Sequence, residues 1–201
     1  MSVVVLPSKP GVSAGVPRPV DGGSWQTPFA GGLSQRLERP GATHLAVDFT
    51  TPRIPLSGLA RIWVSRLLQG QRQIVRVDYP QPEIVTGNVG APVVDSAGQG
   101  GYTLAVRGAQ PGLFIAEGRA LNIYDAHGRG YLHIASADVT VGADGRVIIP
   151  IEPAIRAAPA DGSFVNLAEP MIEGKLTGAE KGVTLKRALA DGLQFSVEEV
   201  R

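Results

Sequence analysis

Three histidines, His44, His127 and His133, are the side chains best suited to proton transfer or metal binding near neutral pH. His127 and His133 stand six apart across a glycine-rich turn, a spacing that matches no strict ligand pattern, and His44 opens an apolar segment. Each is read as an ordinary surface or half-buried residue. There is no cysteine, which removes disulfides, zinc–thiolate sites, iron–sulfur clusters and thiol nucleophiles together. Asp138 and Asp144 offer oxygens of the kind calcium takes, but Asp144-Gly145 is more simply turn chemistry. Gly98-Gln99-Gly100-Gly101 lacks the third glycine spacing and the following helix of a dinucleotide site, so it reads as a loop. The G-x-S-x-G elbow, H-E-x-x-H, the Walker A loop and the EF-hand loop are all missing. Among 18 carboxylates no pair stands out as acid and base. The sequence therefore predicts no catalytic residue, no metal and no cofactor, and the chain is expected not to be an enzyme.

What remains for these side chains is binding. Arg53, Arg61, Arg66, Arg72 and Arg76 gather around one short region. They suit either a solvated face or an electrostatic contact with a neighbouring protein. Arg61 and Arg66 are five apart and do not share a tight helical face. Over the whole chain, 19 Lys and Arg balance 18 Asp and Glu, for a net charge of +1. That balance argues against a general nucleic-acid binder, which carries a marked basic excess.

The elements that must position these residues are mostly short strands. In 201 residues there are 26 Gly and 16 Pro, yet 43% are hydrophobic, a folded chain with many turns rather than a disordered one. No stretch reaches the ~18 apolar residues a membrane span needs, and Met1–Leu6 has no basic residue before its apolar run, so neither a membrane anchor nor a signal peptide is expected. Residues 1–24, with Pro7, Pro10, Pro17 and Pro19, read as an extended arm rather than a packed element. Ser34–Glu38 and His44–Phe49 read as paired strands joined through Pro40-Gly41, with Leu45, Val47 and Phe49 on one face. One helix is expected, capped by Ser57, with Leu59, Trp63 and Leu67 at four-residue spacing, Ile62 beside them and Gly70 closing it. Trp63 is then a core anchor. Gln73–Tyr79 follows as a strand, stopped by Pro80 and Pro82.

From Thr86 to Pro170, glycine and Asp-Gly signals recur every 8–15 residues. Between them lie Tyr102–Val106, Leu113–Ile115, Ala120–Tyr124, Leu132–Val141, Val147–Ile151 and Phe164–Leu167, spaced like the strands of a small barrel or sandwich. Asp144-Gly145 is the best tight-hairpin candidate. Met171–Leu176 and Leu193–Val200 alternate again, with Leu193, Phe195 and Val197 on one face and Gln194, Ser196 and Glu198 on the other. These last strands are expected to join the sheet of the first 85 residues, which makes 86–170 an insertion.

The order of the motifs adds a resemblance. Trp25, Ser34-Gln35 and Pro40-Gly41 are followed by the helix, the Pro-rich exit and Val94-Asp95-Ser96-Ala97-Gly98-Gln99-Gly100-Gly101-Tyr102-Thr103-Leu104. Then come Gly112-Leu113-Phe114-Ile115, Ala143-Asp144-Gly145-Arg146-Val147 and Pro153-Ala154-Ile155-Arg156-Ala157-Ala158-Pro159-Ala160-Asp161-Gly162. From Trp25 onward the chain resembles the distal tail proteins, baseplate or tail-tip ring components of long-tailed siphophages and prophages. It departs from their pattern at His44-Leu45, where an aromatic often follows the turn, and at Glu117-Gly118.

The resemblance implies a mainly β fold. A β-sandwich-like ring domain with one packed α-helix (1–85 and 171–201) would carry an inserted small β-barrel or sandwich (86–170) of OB-fold or galectin-like type. It implies a structural protein of the virion, made in the host cytoplasm and located at the tail tip. Six copies would form a ring joining the tail tube protein to the baseplate hub and tail-tip proteins, with DNA passing the lumen without specific binding. Trp25, Arg36, Arg53, Arg61, Arg66 and Arg72 are the candidate assembly contacts. Three rivals stand beside this reading: a carbohydrate- or receptor-binding module using Tyr102, Tyr124 or Tyr131, a cell-wall hydrolase carried in the tail, and a tail-terminator or head-completion ring.

Overall fold

The computed structural model describes residues 3–29, 31–39, 41–55, 58–81, 87–178, the backbone of 189–190, and 192–200. The fold is mainly β with one helix. The first part of the chain contributes β1 (Val3–Val5), β2 (Ala14–Val20), β3 (Ser24–Gln26), β4 (Gln35–Leu37), β5 (His44–Thr50), β6 (Ile54–Pro55), α1 (Leu59–Gly70) and β7 (Ile74–Asp78). The middle contributes β8 (Gly90–Val94), β9 (Thr103–Ala109), β10 (Phe114–Ile115), β11 (Ala120–Tyr124), β12 (Gly130–Ala135), β13 (Val139–Thr140), β14 (Val147–Glu152) and β15 (Val165–Asn166). The end contributes β16 (Met171–Thr177), β17 (Leu189–Ala190) and β18 (Gln194–Glu199).

Two six-stranded sheets carry the structure. The first has the order β1-β7-β16-β18-β5-β2 and draws strands from both ends of the chain. All its pairings are antiparallel except β1 with β7. The second has the order β15-β11-β12-β14-β9-β8 and is built only from residues 90–166. Its outer strands meet through a bridge between Val93 and Phe164 and two backbone bonds, Val94 N–H to Ser163 C=O (2.9 Å) and Gly162 N–H to Val94 C=O (3.0 Å). The sheet is therefore nearly closed and barrel-like, with one strand more than the five of an OB-fold.

Period-2 patterning places the cores. Leu45, Val47 and Phe49 of β5 meet Phe195 and Val197 of β18, and Phe49 and Phe195 pack with ring centroids 5.5 Å apart. Trp63 is fully buried on this face, 5.9 Å from the Phe195 ring, in its expected role. Helix α1 buries Ala60, Trp63, Leu67 and Gly70. Leu59 and Ile62, expected on the apolar face, lie exposed, because the buried stripe is set by Trp63 and Leu67 and runs through Ala60 instead. Gly70 allows the helix end to close on the sheet: a Cβ there would sit 2.4 Å from Val75 Cγ1. Inside the barrel Leu104, Ile115, Leu121, Ile123, Ile149 and Ile151 are fully or almost fully buried.

Several local expectations change. The expected arm is packed: among its described residues, 3–24, β1 and β2 are edge strands of the first sheet, with Val4 and Leu6 in its core. Pro17 and Pro19 lie in β2, where an edge strand tolerates missing N–H donors. The 34–38 segment does not pair with 44–49. Instead β4 pairs with β3, while β5 is held by β2 and β18, because the long strands of the sheet offer β5 a far larger buried ladder. Ser57, Pro40 and Pro82 lie outside the described residues, and the residue before α1 is Gly58, at φ +66°. The 132–141 segment splits into β12 and β13, and β8 is a strand the periodicity missed, its Gly-Ala-Pro start hiding the pattern.

Candidate functional site

Among the described residues the two most exposed large apolar side chains, Phe29 and Leu33, sit on one hairpin. Strands β3 and β4 pair Ser24 with Leu37, Trp25 with Arg36 and Gln26 with Gln35. Trp25 is 64% exposed, and Phe29 and Leu33 at the tip are open to solvent. Thr27 and Ser34 hydroxyls meet at 3.0 Å across the hairpin, and Gly31 turns it at φ +79°. Its base is held by charge. Arg36 reaches Asp21 at 3.0 Å and Glu38 at 3.1 Å, and its guanidinium lies 5.9 Å from the centre of the Trp25 ring. A two-stranded hairpin with little core of its own is marginal in isolation. Its aromatic tip therefore suits a surface that is covered in an assembly.

Beside the hairpin base lies a cleft of about 510 Å³. Arg36, Glu38, Arg39 and Thr43 line one wall, and Tyr102, Glu152 and Ile155 the other. The Tyr102 hydroxyl donates to Glu38, and that bond to a carboxylate raises the phenol pKa above its usual value. Tyr102 is substantially exposed, whereas Tyr131 is buried under Arg156, whose guanidinium lies 5.5 Å from its ring centre. Tyr124 is half-buried against Phe164 at 5.7 Å.

The candidate assembly contacts lie on several elements. Trp25 and Arg36 are adjacent on the hairpin. Arg66 turns to the carbonyl of Val5, covering the edge of β1. Arg61 and Arg72 lie exposed on and just after the helix, and Arg53 is exposed before β6. Arg76 is bound to Glu173 of the neighbouring strand, with Nε at 2.9 Å. Among the described residues no three His, Asp or Glu side chains come together as a metal site, and no helix is long and apolar enough to cross a membrane.

Between the two sheets lies a buried polar junction that the sequence reading did not single out. Glu199 of β18 accepts hydrogen bonds from the backbone N–H of Leu132 in the barrel (2.7 Å) and of Leu45 in the first sheet (3.3 Å). Arg156 pairs with it at 3.3 Å and also donates to Gly41 C=O at 3.4 Å. Burial pushes the Glu199 carboxyl up, opposed by its hydrogen bonds and the guanidinium. His133 Nδ1–H donates to Pro153 C=O (2.8 Å), and full burial lowers its pKa to about 4. The signal for Glu199 was present: it continues the buried alternation of Leu193, Phe195 and Val197.

No family model matches this chain, and no curated protein matches it.

Proposed function

We propose that this chain is a structural virion protein that forms a hexameric ring at the distal end of a phage tail tube and joins the tube to the tail tip. The observation that carries this reading is the exposed hairpin of β3 and β4, with Trp25, Phe29 and Leu33 standing off the body where a neighbour would cover them. The layout agrees with the motif order. A helix-covered sheet assembled from both ends of the chain carries a barrel set between its neighbouring strands β7 and β16. In this reading the ring subunit works by shape and contact, and the polar junction fixes how the barrel is presented to tail-tip partners. The tail tube protein and hub proteins are its neighbours, and DNA passes without being gripped.

Immunogold labelling of intact virions tests this directly, together with light scattering of the purified protein. The expected outcome is label at the tail tip and a closed particle of about 126 kDa, six copies of 21.0 kDa. Label at the head–tail joint would move the assignment to a terminator or completion ring. Absence of the chain from virions would remove the reading.

A second reading has one observation in its favour. Exposed Tyr102 beside Arg36, Glu38, Arg39 and Glu152 has the aromatic-plus-polar makeup of a sugar-binding cleft. Glycan binding lost on Tyr102→Ala, with folding intact, would favour a receptor-binding role.

A further inference from the structure

We propose that the outer face of α1 in one copy seats on the β10–β13 corner of the barrel in a second copy, a head-to-tail contact of two apolar patches ringed by opposite charge. On the helix, Arg61, Ser65 and Leu68 fall at i, i+4 and i+7, opposite the buried Trp63 and Leu67, and Arg72 follows in the turn just after it. Leu68 is 63% exposed and Ile62 lies exposed beside this stripe. Between Asp48 and Asp78 the chain has five arginines and no carboxylate. Arg66 and Arg76 are engaged within the fold, whereas Arg61 and Arg72 enter no ion pair among the described residues.

The barrel corner is its complement. Strand β10 pairs with β13, and Phe114 there is 55% exposed. The Glu117 N–H donates to Asp138 Oδ1 at 2.7 Å, which brings two exposed residues with carboxylates together near that strand pair. Residues 108–118 and 135–145 contain Glu117, Asp138 and Asp144 and no Lys or Arg. None of the three is ion-paired among the described residues. The asymmetry extends to the whole chain: residues 1–86 hold nine Lys and Arg against five Asp and Glu, and residues 87–178 hold six against nine. A near-neutral chain polarised in this way attracts its own copies in one orientation. Because the two patches differ, the contact is heterologous and repeats from copy to copy. It refines the ring proposed above and rests on that reading only for closure into six.

Charge exchange in the full chain tests it, followed by analytical ultracentrifugation at low and high salt. A helix variant carries Arg61→Glu with Arg72→Gln. A barrel variant carries Glu117→Lys with Asp138→Asn, which keeps an acceptor for the Glu117 N–H. Wild-type self-association at low salt is expected to weaken at least tenfold in 0.5 M salt and at least tenfold in either variant. A one-to-one mixture of the variants is expected to recover association, since each new charge then meets its opposite. Thermal melts check that both variants remain folded. Wild type that stays monomeric at 0.5 mM in low salt, or a mixture that recovers nothing, overturns the contact. Binding of the helix face to anionic vesicles or to DNA, without self-association, would assign the face to another partner and also overturn it. Charge-dependent association in a protein absent from virions would keep this contact and remove the tail role, and a tail-tip location without it would do the reverse.

Discussion

Glu199 is one carboxylate that ties three segments, so its removal leaves two backbone N–H groups and Arg156 uncompensated at once. Glu199→Ala is expected to cost about 3–5 kcal/mol in denaturant unfolding, whereas exposed Glu117→Ala changes stability by less than about 0.5 kcal/mol. His133 gives a pH signature. Its folded pKa of about 4 lies below the ordinary 6.5, so the unfolded chain binds the proton first and stability falls as pH drops from about 6.5 to 4. Glu199, raised in the folded state, works in the opposite sense, losing stability as pH rises above its ordinary value. The difference between wild type and His133→Gln across pH 4–7 isolates the histidine, and a flat difference would contradict its buried neutral state. Gln99 shows what a motif conceals. Its side chain accepts from Ala105 N–H at 2.7 Å and donates to Asp95, Ser96 and Ala105 carbonyls, filling the β8–β9 loop like an extra strand residue. From sequence it is one residue in a glycine-rich loop, because the partners that give it meaning are backbone atoms brought close only by the fold.

At the scale of elements, alternation located strands well and partners poorly. Ala120–Tyr124 is a strand with the expected limits, and Trp63 with Leu67 identified the helix, since both signals lie within the segment itself. That β4 pairs with β3 depends on what β5 finds elsewhere, and no local pattern carries that information. Of the hairpin, Trp25 and the Ser34–Glu38 strand were legible, but its apolar tip, Phe29 and Leu33, was passed over because exposure is a property of the folded surface. Two glycines separate close approach from turn geometry. A Cβ at Gly174 in β16 would lie within 2.1 Å of the Glu198 carbonyl oxygen, whereas Gly98, at φ +77°, has open space. Gly174→Ala is therefore expected to cost more than about 2 kcal/mol by forcing β16 from β18, and Gly98→Ala about 1 kcal/mol. Equal thermal shifts for the two would contradict the register of that strand pair.

At the scale of the whole molecule, the exposed apolar residues bear on association. Phe29→Ser with Leu33→Ser is expected to leave the monomer's melting temperature unchanged while removing the closed particle of about 126 kDa in light scattering, because both side chains are outside the core. Loss of folding instead would place the hairpin tip inside the monomer's own stability. The way the barrel enters the first sheet has a kinetic meaning as well. The chain leaves β7 at Tyr79 and returns to β16 after Pro170, and Tyr79 N–H is bonded to Pro170 C=O at 2.8 Å. An unfolded loop of that length opposes closure by roughly 4 kcal/mol of chain entropy, on the order of (3/2)RT ln n. A barrel that forms first lowers that penalty, because it already sets Val93 beside Phe164 and leaves only short segments to close. In that order the first sheet would pair β7 with β16 as though they were joined by a short turn, and folding would run from the middle of the chain outward.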